Sequence, residues 1–316
     1  MTQSVVTLAG GVGAAKLLTG LIRVHPPEDL LAVVNTADDT VLHGLHVSPD
    51  LDTVVYTLAG AVNPDTGWGL AGETWQAMDA LDRYGGITWF RLGDRDLATH
   101  LYRTHRMDQG ADLAAATAEI AAAWGLELTV LPVTNDRIET KVTTVDEGEI
   151  GFQDYFVRRR HDVAVTAVRV AGSECAQPTP GLIEALETAQ SIIIAPSNPI
   201  VSIGPVLEVP GVRKSVAARR DAVVAVSPIV GGAALKGPAD RLMRELGHES
   251  SVVGVARLYQ DVAATLVIDE ADAHLADDVE AVGVSCVVAS TIMDSIDTAA
   301  ALARTVLGCF PEGVQA

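Results

Sequence analysis

The chain has 316 residues, of which 48% are hydrophobic and 20% are charged. This length and composition predict a large folded α/β domain and exclude intrinsic disorder. The net charge of −19, from 41 acidic and 22 basic residues, argues against non-specific binding to nucleic acid or to an anionic membrane. A ligand that carries phosphate groups would therefore need local compensation from backbone N–H groups, a few basic side chains or a metal ion.

The three cysteines, Cys175, Cys286 and Cys309, are far apart and odd in number. They predict reduced structural thiols, and neither a disulfide framework nor a zinc site. The sequence has no run of 18 apolar residues, and its N-terminus does not resemble a signal peptide. We expect a soluble cytoplasmic protein with small-molecule substrates and without nucleic-acid or membrane partners, and we take a homodimer as the working assembly.

The first sixty residues predict a strand, a turn, a helix and a second strand. Residues 5–9 form a short apolar run, and residues 14–24 place apolar side chains at helical spacing. Residues 31–34 predict a second buried strand, which ends in the polar segment 35–39, NTADD. Polar side chains at the carboxyl end of a parallel strand are typical of the ligand-binding edge of an open α/β sheet.

The middle of the chain predicts an insertion into this core. Residues 97–124 have a helical pattern. Three short runs resemble strands joined by polar turns, at residues 126–131, 138–144 and 149–156. We therefore expect a single domain over residues 1–316, with an α/β core at about 1–66 and 180–310 and an inserted subdomain at about 67–179.

The last third returns to an α/β pattern. Five short apolar runs predict strands, at residues 191–195, 222–226, 251–255, 265–268 and 284–288. Helical patterns alternate with some of them, at residues 181–189, 239–246 and 298–307. This alternation predicts an α/β fold of the Rossmann-like, three-layer, doubly wound type, with a mostly parallel sheet and an inserted helical or antiparallel subdomain that covers the substrate.

A glycine-rich turn, Gly10-Gly11-Val12-Gly13, follows the first strand and opens the first helix. Because glycine permits positive φ and close approach of backbone N–H groups to phosphate, we predict that Gly10, Gly11, Gly13 and Ala14 bind a nucleotide. The segment matches neither a Walker A sequence nor G-x-G-x-x-G. The alternative is a tight packing turn between strand and helix.

Four carboxylates, Asp38, Asp39, Asp50 and Asp52, lie within fifteen positions. Mg²⁺ prefers oxygen ligands, and side chains at i and i+2 of an extended segment point the same way. The group therefore predicts metal or substrate binding beside the glycine turn. The alternative is that Asp52 caps a helix that begins near Thr53, while Asp50 is solvated.

Two later loops each follow a predicted strand, at residues 195–199 and 227–232. Such loops can hold a base, a ribose or a phosphate at the carboxyl edge of the sheet, although they can equally be ordinary turns. The residues that we predict to contact a nucleotide there are Ser197, Asn198, Pro199 and Gly231.

Three further polar features favour structural roles. Asp96 precedes a helical segment and suits a helix cap, while Asp94 and Arg95 suit a surface pair. His100 alone is more often structural than catalytic. The dense basic run at residues 158–160 predicts a solvated strand end, with an anion clamp as the minority interpretation.

Eight segments resemble, in the same order, the 2-phospho-L-lactate transferase family of coenzyme F-420 biosynthesis. They are AGGVGAAKLL from Ala9, VVNTADD from Val33, SPDLDT from Ser48, GWGLAGETW from Gly67, RLGDRDLATH from Arg91, FQDYFV from Phe152, APSNPIVSIGP from Ala195 and VSPIVGG from Val226. They span about residues 5–240. SPDLDT and PSNP-x-x-SIGP are specific, whereas the glycine turn is not.

The resemblance implies a Mg²⁺-dependent transfer of a phospho-acid, either phospholactate or phosphoenolpyruvate. The donor is lactyl-2-diphospho-5′-guanosine or its enolpyruvyl counterpart. The acceptor is the ribityl hydroxyl of the deazaflavin Fo, 7,8-didemethyl-8-hydroxy-5-deazariboflavin, and the products are GMP and coenzyme F-420-0 or its dehydro form.

Several residue roles follow from the resemblance and from the chemistry of displacement at phosphorus, which needs positioning and charge neutralisation. Asp38, Asp50 and Asp52 are expected to bind Mg²⁺, and Asp52 and Arg91 to contact the deazaflavin. Asp50 and Asp52 are the expected catalytic residues, with Asp52 as the general-base candidate.

Two other functions remain open from the sequence. A related branch, the gluconeogenesis-factor-like regulators, binds UDP-sugars and typically has a glycine- and serine-rich stretch after the acidic pair. Thr40-Val41-Leu42-His43 stands there instead, which argues against that branch. An NAD-dependent dehydrogenase would depend on the glycine turn alone, which lacks the full fingerprint.

Overall fold

The computed structural model describes residues 4–310, which form fourteen strands and twelve α-helices. The strands are β1 (Val5–Ala9), β2 (Leu30–Val34), β3 (Thr40–Leu42), β4 (Leu45–Val47), β5 (Thr129–Pro132), β6 (Glu139–Thr144), β7 (Gly148–Gly151), β8 (Val165–Ala171), β9 (Ser191–Ile194), β10 (Val223–Val226), β11 (Ile229–Val230), β12 (Ala233–Ala234), β13 (Thr265–Asp269) and β14 (Ser285–Ala289). The helices are α1 (Gly11–Val24), α2 (Pro49–Leu58), α3 (Gln76–Arg83), α4 (Asp96–Asp108), α5 (Leu113–Ala123), α6 (Leu182–Thr188), α7 (Gly204–Glu208), α8 (Val212–Ala218), α9 (Ala239–Glu245), α10 (Val252–Tyr259), α11 (Ala276–Ala281) and α12 (Ile296–Gly308).

Seven of the strands form one parallel sheet in the order β14-β13-β10-β9-β1-β2-β5. Strand β1 lies inside the sheet, where Val5 is opposite Leu30 of β2 on one side and Ser191 of β9 on the other. Every residue of β1, β2, β9 and β10 is buried, as expected of parallel strands covered on both faces. The predicted α/β class is confirmed.

The connections on the two sides of β1 run in opposite directions across the sheet. From β1 the chain passes through α1 to β2, whereas β9 and then β10 extend the sheet on the other side. The chain connections that follow β1 and β9 therefore diverge at the carboxyl edge, where a doubly wound sheet forms its ligand crevice.

Helices cover both faces of the sheet. Alternate β1 residues point to opposite sides, so that Val6 and Leu8 join one apolar cluster and Val5 joins the other. The first cluster packs against α6, α7, α8 and α10, and the second against α1, α2, α5 and α12. Helices α1 and α12 approach so closely that a Cβ atom on Gly20 would lie 2.2 Å from the backbone oxygen of Ala299.

The middle of the chain differs from the prediction in two places. Strand β5 pairs in parallel with β2 and forms the edge of the central sheet. The prediction that the run at residues 126–131 belongs to the insertion is therefore wrong. Strand β7 ends at Gly151, and residues 154–158 form a π-helical turn in place of the expected longer strand. Strands β7, β6 and β8 do form an antiparallel sheet. The exact division of the chain near residues 66 and 180 stays a prediction.

One predicted strand in the last third is a helix. Residues 251–255 enter α10, whose start is capped by the Ser251 hydroxyl, which accepts a hydrogen bond from the Gly254 N–H group. Residues 252–256 of α10 are all buried and form a continuous apolar run, and such a run does not distinguish a buried helix from a buried strand. Within residues 4–310, no helix combines the length and apolar character needed to cross a membrane.

Candidate active site

Three carboxyl groups gather where β2 ends and α2 begins. Asp38 and Asp50 are buried, and Asn35 links the two segments by donating from Nδ2 to Asp50 Oδ2 at 3.0 Å. Asp39 accepts a hydrogen bond of 2.7 Å from the Ser48 hydroxyl at Oδ2. The Oδ1 atoms of Asp38 and Asp39 are buried and have no hydrogen-bond partner among the described residues.

Burial shifts the pKa of each of these carboxyl groups upward. It raises the pKa of Asp38 and Asp39 well above the ordinary value, and the nearby Asp50 charge raises that of Asp38 further. It raises the pKa of Asp50 to about 6, although hydrogen bonds from Asn35 and the Gly11 backbone oppose the shift. Clustered buried carboxylates with free oxygens are costly when charged alone and suit a hard divalent cation such as Mg²⁺.

Asp50 and Asp52 do not point the same way, contrary to the assumption of an extended segment. Helix α2 begins at Pro49, and proline is favoured in the first helical turn. Since successive helical residues rotate by 100°, side chains at i and i+2 diverge strongly. The alternative of Asp52 as the helix cap is also wrong, because Ser48 occupies the cap position.

Asp52 lies in a buried ion-pair network with α4. Two guanidinium nitrogens of Arg103, a residue that is 1% exposed, donate to the two Asp52 oxygens. His100 Nδ1 lies 3.7 Å from Asp52 Oδ2, and His100 Nε2 lies 3.2 Å from Asp96 Oδ2. Asp96 in turn accepts a 2.7 Å hydrogen bond from Tyr56. Burial acts to lower the pKa of Arg103, but the Asp52 carboxylate outweighs it and raises that pKa.

The predicted metal ligands are therefore divided. Asp38 and Asp50 lie together, whereas both oxygens of Asp52 are occupied by Arg103. Ligand atoms of Asp52, Asp96 and His100 do come within 4.8 Å of one another. Because Arg103 already occupies both Asp52 oxygens, and Asp96 is paired with His100 and Tyr56, we interpret this group as an ion-pair network.

Arg103 and Asp96 are the residues of this network to which sequence analysis gave no role in the site. With His100 they occupy positions i, i+4 and i+7 of one helix and so share a face. This spacing in the sequence indicates that an acid, a histidine and an arginine can lie together on one face of the helix. The identity of their partner, Asp52, required the tertiary fold.

The glycine turn packs tightly against the loop after β9. Gly11 has a φ of 68°, which favours glycine. The Gly10 N–H group donates to the Ser197 hydroxyl at 3.3 Å, and a Cβ atom on Gly13 would lie 2.1 Å from the Pro196 backbone oxygen. The packing interpretation is therefore sufficient for Gly13, while nucleotide binding by the turn, including Ala14, stays a prediction.

We expect Gly13→Ala to destabilise the protein by about 1 to 3 kcal/mol, because the new methyl group would overlap backbone that cannot rotate away. Urea denaturation measures the change. Gly308→Ala is the matched control, since Gly308 is helical and a Cβ atom on it would meet no atom of residues 4–310 within 4 Å. Equal stability of the two variants would contradict the packing role.

The other predicted nucleotide contacts lie at the same edge of the sheet. Asn198 accepts a 2.9 Å hydrogen bond from the Ile200 N–H group and so caps the π-helical turn that starts at Pro199. Its buried Nδ2 atom has no partner among the described residues. Gly231 donates its N–H to Asp272 Oδ2 at 2.8 Å. These loops follow β9 and β10, so they border the crevice beside the glycine turn.

Arg91 lies outside the buried network. Its guanidinium carbon stacks 4.6 Å from the Trp75 ring centroid, and one nitrogen lies 3.5 Å from Asp79. Its side chain is 53% exposed and so is available to a ligand. In the basic run, Arg158 and Arg159 both pair with Asp154, the first residue of the π-helical turn. The run therefore lies at the end of that turn, and the prediction that it ends a strand is wrong.

A cavity of about 160 Å³ opens beside Asp38 and Asp39. Trp89 and Phe152 supply its aromatic walls. Gln153, which is also part of the wall, donates from Nε2 to the Asp38 backbone oxygen at 2.7 Å. The acidic group therefore borders a cavity with aromatic walls.

Known proteins resemble this chain over nearly its whole length. A family model described as 2-phospho-L-lactate transferase CofD matches residues 5–294. The phosphoenolpyruvate transferase of Streptomyces griseus is 43% identical over 308 residues, which cover 96% of this chain and 97% of that protein. The 2-phospho-L-lactate transferase of Methanocaldococcus jannaschii is 37% identical over 306 residues, covering 96% and 97%.

A solved structure supports the fold separately. A member of the upf0052 family from Bacillus halodurans superposes with a TM-score of 0.61 at 15% identity, over 96% of this chain and 98% of that one. The structural match concerns the fold alone, whereas the family model and the curated relatives identify the family. The chain belongs to the CofD family of transferases, whose curated members are named 2-phospho-L-lactate transferase and phosphoenolpyruvate transferase.

Proposed function

We propose that the protein transfers a phospho-acid from a guanosine-diphosphate-activated donor to the terminal ribityl hydroxyl of the deazaflavin Fo. The acceptor oxygen forms a bond to the phosphorus of the phospho-acid. The bond from that phosphorus to the bridging oxygen breaks, its electron pair leaves with GMP, and the hydroxyl proton passes to a base. The donor carries phospholactate or phosphoenolpyruvate, so the product is F-420-0 or its dehydro form.

The observation that supports this proposal most is that the buried Oδ1 atoms of Asp38 and Asp39 lack a hydrogen-bond partner among the described residues. They lie beside Asp50 at the crevice of the sheet, and they suit Mg²⁺. When bound, the ion would neutralise phosphate charge on the donor. We propose Asp38 and Asp39 as its ligands, because their Oδ1 atoms have no partner among the described residues, and we remove Asp50 and Asp52 from the predicted ligand set.

The two proposed catalytic aspartates take different roles. Arg103 donates to both oxygens of Asp52, which fixes the direction of that carboxyl group. We propose that Asp52 orients the acceptor by accepting a hydrogen bond from it. Asp50 faces the glycine turn, because a Cβ atom on Gly11 would lie 3.4 Å from Asp50 Oδ1. Asp50 is therefore our candidate for receiving the acceptor proton, in place of Asp52.

A single assay tests the function. Purified protein is incubated with Fo, Mg²⁺ and each of the two guanylylated donors, and mass spectrometry detects the phosphodiester product and GMP. Formation of both products from one donor supports the proposal. Absence of product from either donor, with a folded protein and saturating Mg²⁺, would exclude it.

The UDP-sugar regulator is the alternative function. Isothermal titration with UDP-N-acetylglucosamine and with GDP separates the two. We expect binding of GDP, and tight binding of the UDP-sugar without binding of Fo would favour the regulator.

Arg91→Ala is expected to raise the KM for Fo by about tenfold to a hundredfold, the effect of losing one charged contact. Because Arg91 is half exposed and its partner Asp79 is 70% exposed, we expect a change in stability below about 0.5 kcal/mol. Steady-state kinetics with varied Fo measures the first effect and thermal unfolding the second. Arg83→Ala, at the end of α3, is the control, since no shift in KM is expected there. An unchanged KM in Arg91→Ala would remove Arg91 from the acceptor site.

A further inference from the structure

Two lysines from distant parts of the chain approach each other near the glycine turn. Lys16 lies in α1 and donates from Nζ to the Met293 backbone oxygen at 2.7 Å. Lys236 follows β12 and donates from Nζ to the Thr66 backbone oxygen at 2.9 Å. Burial lowers the pKa of Lys16, and the Lys236 charge lowers it further, while Asp294 opposes both. The Lys236 charge therefore acts on the Lys16 ammonium group, and Val12, which lies beside Lys236, shares a helix face with Lys16 at positions i and i+4.

Lys236 lies close to the backbone of Gly67 and to the start of α1. A Cβ atom on Gly67 would lie 2.8 Å from Lys236 Nζ and 3.2 Å from Cγ1 of Val12, which is in the glycine turn. Thr66, which accepts the Lys236 hydrogen bond, is the preceding residue. Lys236 is thus held on the loop at residues 66–67, next to the first turn of α1.

Within the described part of the chain, no carboxylate contacts the ammonium group of Lys16 or of Lys236. Neither ammonium group has a carboxylate within 4.0 Å there, and the hydrogen-bond acceptor of each is one backbone oxygen. The protein has 41 acidic and only 22 basic residues, so acidic partners are abundant elsewhere. Two like charges with no contacting carboxylate, and only the more distant Asp294 to oppose them at Lys16, suit the binding of an anion.

We propose that Lys16 and Lys236 bind the diphosphate of the nucleotide donor. This site depends on the proposed transfer reaction for the identity of its ligand. It supplies the positive charge that a protein of net charge −19 needs in order to hold a phosphate-bearing ligand. The carboxylates Asp38 and Asp50 lie at the end of β2 and the start of α2, so the crevice has an acidic part and a basic part. The diphosphate occupies the basic part, and its far end reaches the acidic part.

Glutamine variants separate charge from hydrogen bonding. In Lys16→Gln and Lys236→Gln an amide N–H can still donate to the Met293 or Thr66 oxygen, but the positive charge is lost. Lys16→Arg and Lys236→Arg keep the charge. Lys214→Gln, on the exposed surface of α8, is the matched control for loss of one charge. Isothermal titration with GDP, guanosine and Fo measures binding, and thermal unfolding confirms that each variant is folded.

We expect each glutamine variant at the site to raise the Kd for GDP about tenfold or more and to leave the Kd for guanosine and for Fo unchanged. The arginine variants should restore GDP binding to within a few-fold, and Lys214→Gln should have no effect. Wild-type GDP affinity in the double glutamine variant would overturn the site, as would failure of the wild-type protein to bind GDP. A lysine-dependent GDP site in a protein that makes no product with either donor would instead overturn the transfer reaction and leave the site standing.

Discussion

Asp52→Asn is expected to lower the free energy of unfolding by about 3 to 5 kcal/mol, because it leaves the Arg103 guanidinium buried without its counter-charge. Arg103 is 1% exposed, so water cannot replace the lost carboxylate. The substitution therefore does more than remove a candidate catalytic group. Urea denaturation measures the loss, and the transfer assay must be run where the variant is still folded.

A double-mutant cycle tests whether the loss arises from the buried pair. Arg103→Met alone is expected to be about as destabilising as Asp52→Asn, and the double variant less destabilised than the sum of the two. Arg106→Met is the control, since Arg106 pairs with Glu119 on the partly exposed surface of the same helix and should cost less than about 1 kcal/mol. Additive effects of Asp52→Asn and Arg103→Met would contradict the coupling.

The same cycle separates structure from function. If Asp52 orients the acceptor, the double variant regains stability but not transfer, because the asparagine still lacks the carboxylate. If Asp52 acts only as a structural partner of Arg103, transfer recovers together with stability. Stability and transfer activity, measured separately on the double variant, therefore distinguish the two roles of Asp52.

The sequence predicted the central sheet well because its signals are local. The apolar runs of β1, β2, β9 and β10 were correctly assigned, since a strand buried on both faces is apolar throughout. Their assignment also placed the glycine turn and the acidic segment at one edge. The strand predicted at residues 251–255 is wrong, because this part of α10 is buried and its sequence is equally apolar.

The site was predicted less well because its contacts are not local. Pro49 suits both an extended segment and a first helical turn, and this choice decides whether Asp50 and Asp52 face the same site. The Asp52 partner lies 51 positions away on α4. The approach of Lys236 to the helix that carries Lys16 likewise depends on where a distant loop packs against α1.

Asp38→Asn is expected to have opposite effects on stability and on function. Without metal it should raise the free energy of unfolding at pH 7.5 by about 1 to 3 kcal/mol, because it removes a buried charge whose Oδ1 atom has no partner among the described residues. It should also abolish stabilisation by Mg²⁺ and reduce transfer at least about a hundredfold. Thermal unfolding with and without Mg²⁺, followed by the transfer assay, checks each effect.

The gain in the free energy of unfolding from Asp38→Asn should depend on pH. Burial raises the pKa of Asp38 and Asp50 in the folded protein, to about 6 for Asp50, so the folded state keeps protons that the unfolded chain releases above about pH 3.8. The stability of the metal-free wild type should therefore fall as pH rises from about 4 through 6. The advantage of Asp38→Asn should be small at pH 4 and grow as pH rises toward the raised pKa of Asp38.

Asp269→Asn is the matched control, because Asp269 is also buried but its oxygens accept hydrogen bonds from Thr291 and from the Ala271 N–H group. Burial acts to raise the pKa of Asp269, yet these hydrogen bonds outweigh it and lower that pKa. The same chemical change should thus destabilise the protein at Asp269 and stabilise it at Asp38. Mg²⁺ should still stabilise Asp269→Asn. Destabilisation by both substitutions, with the Mg²⁺ response intact in both, would show that Asp38 is a structural residue and that the ion binds elsewhere.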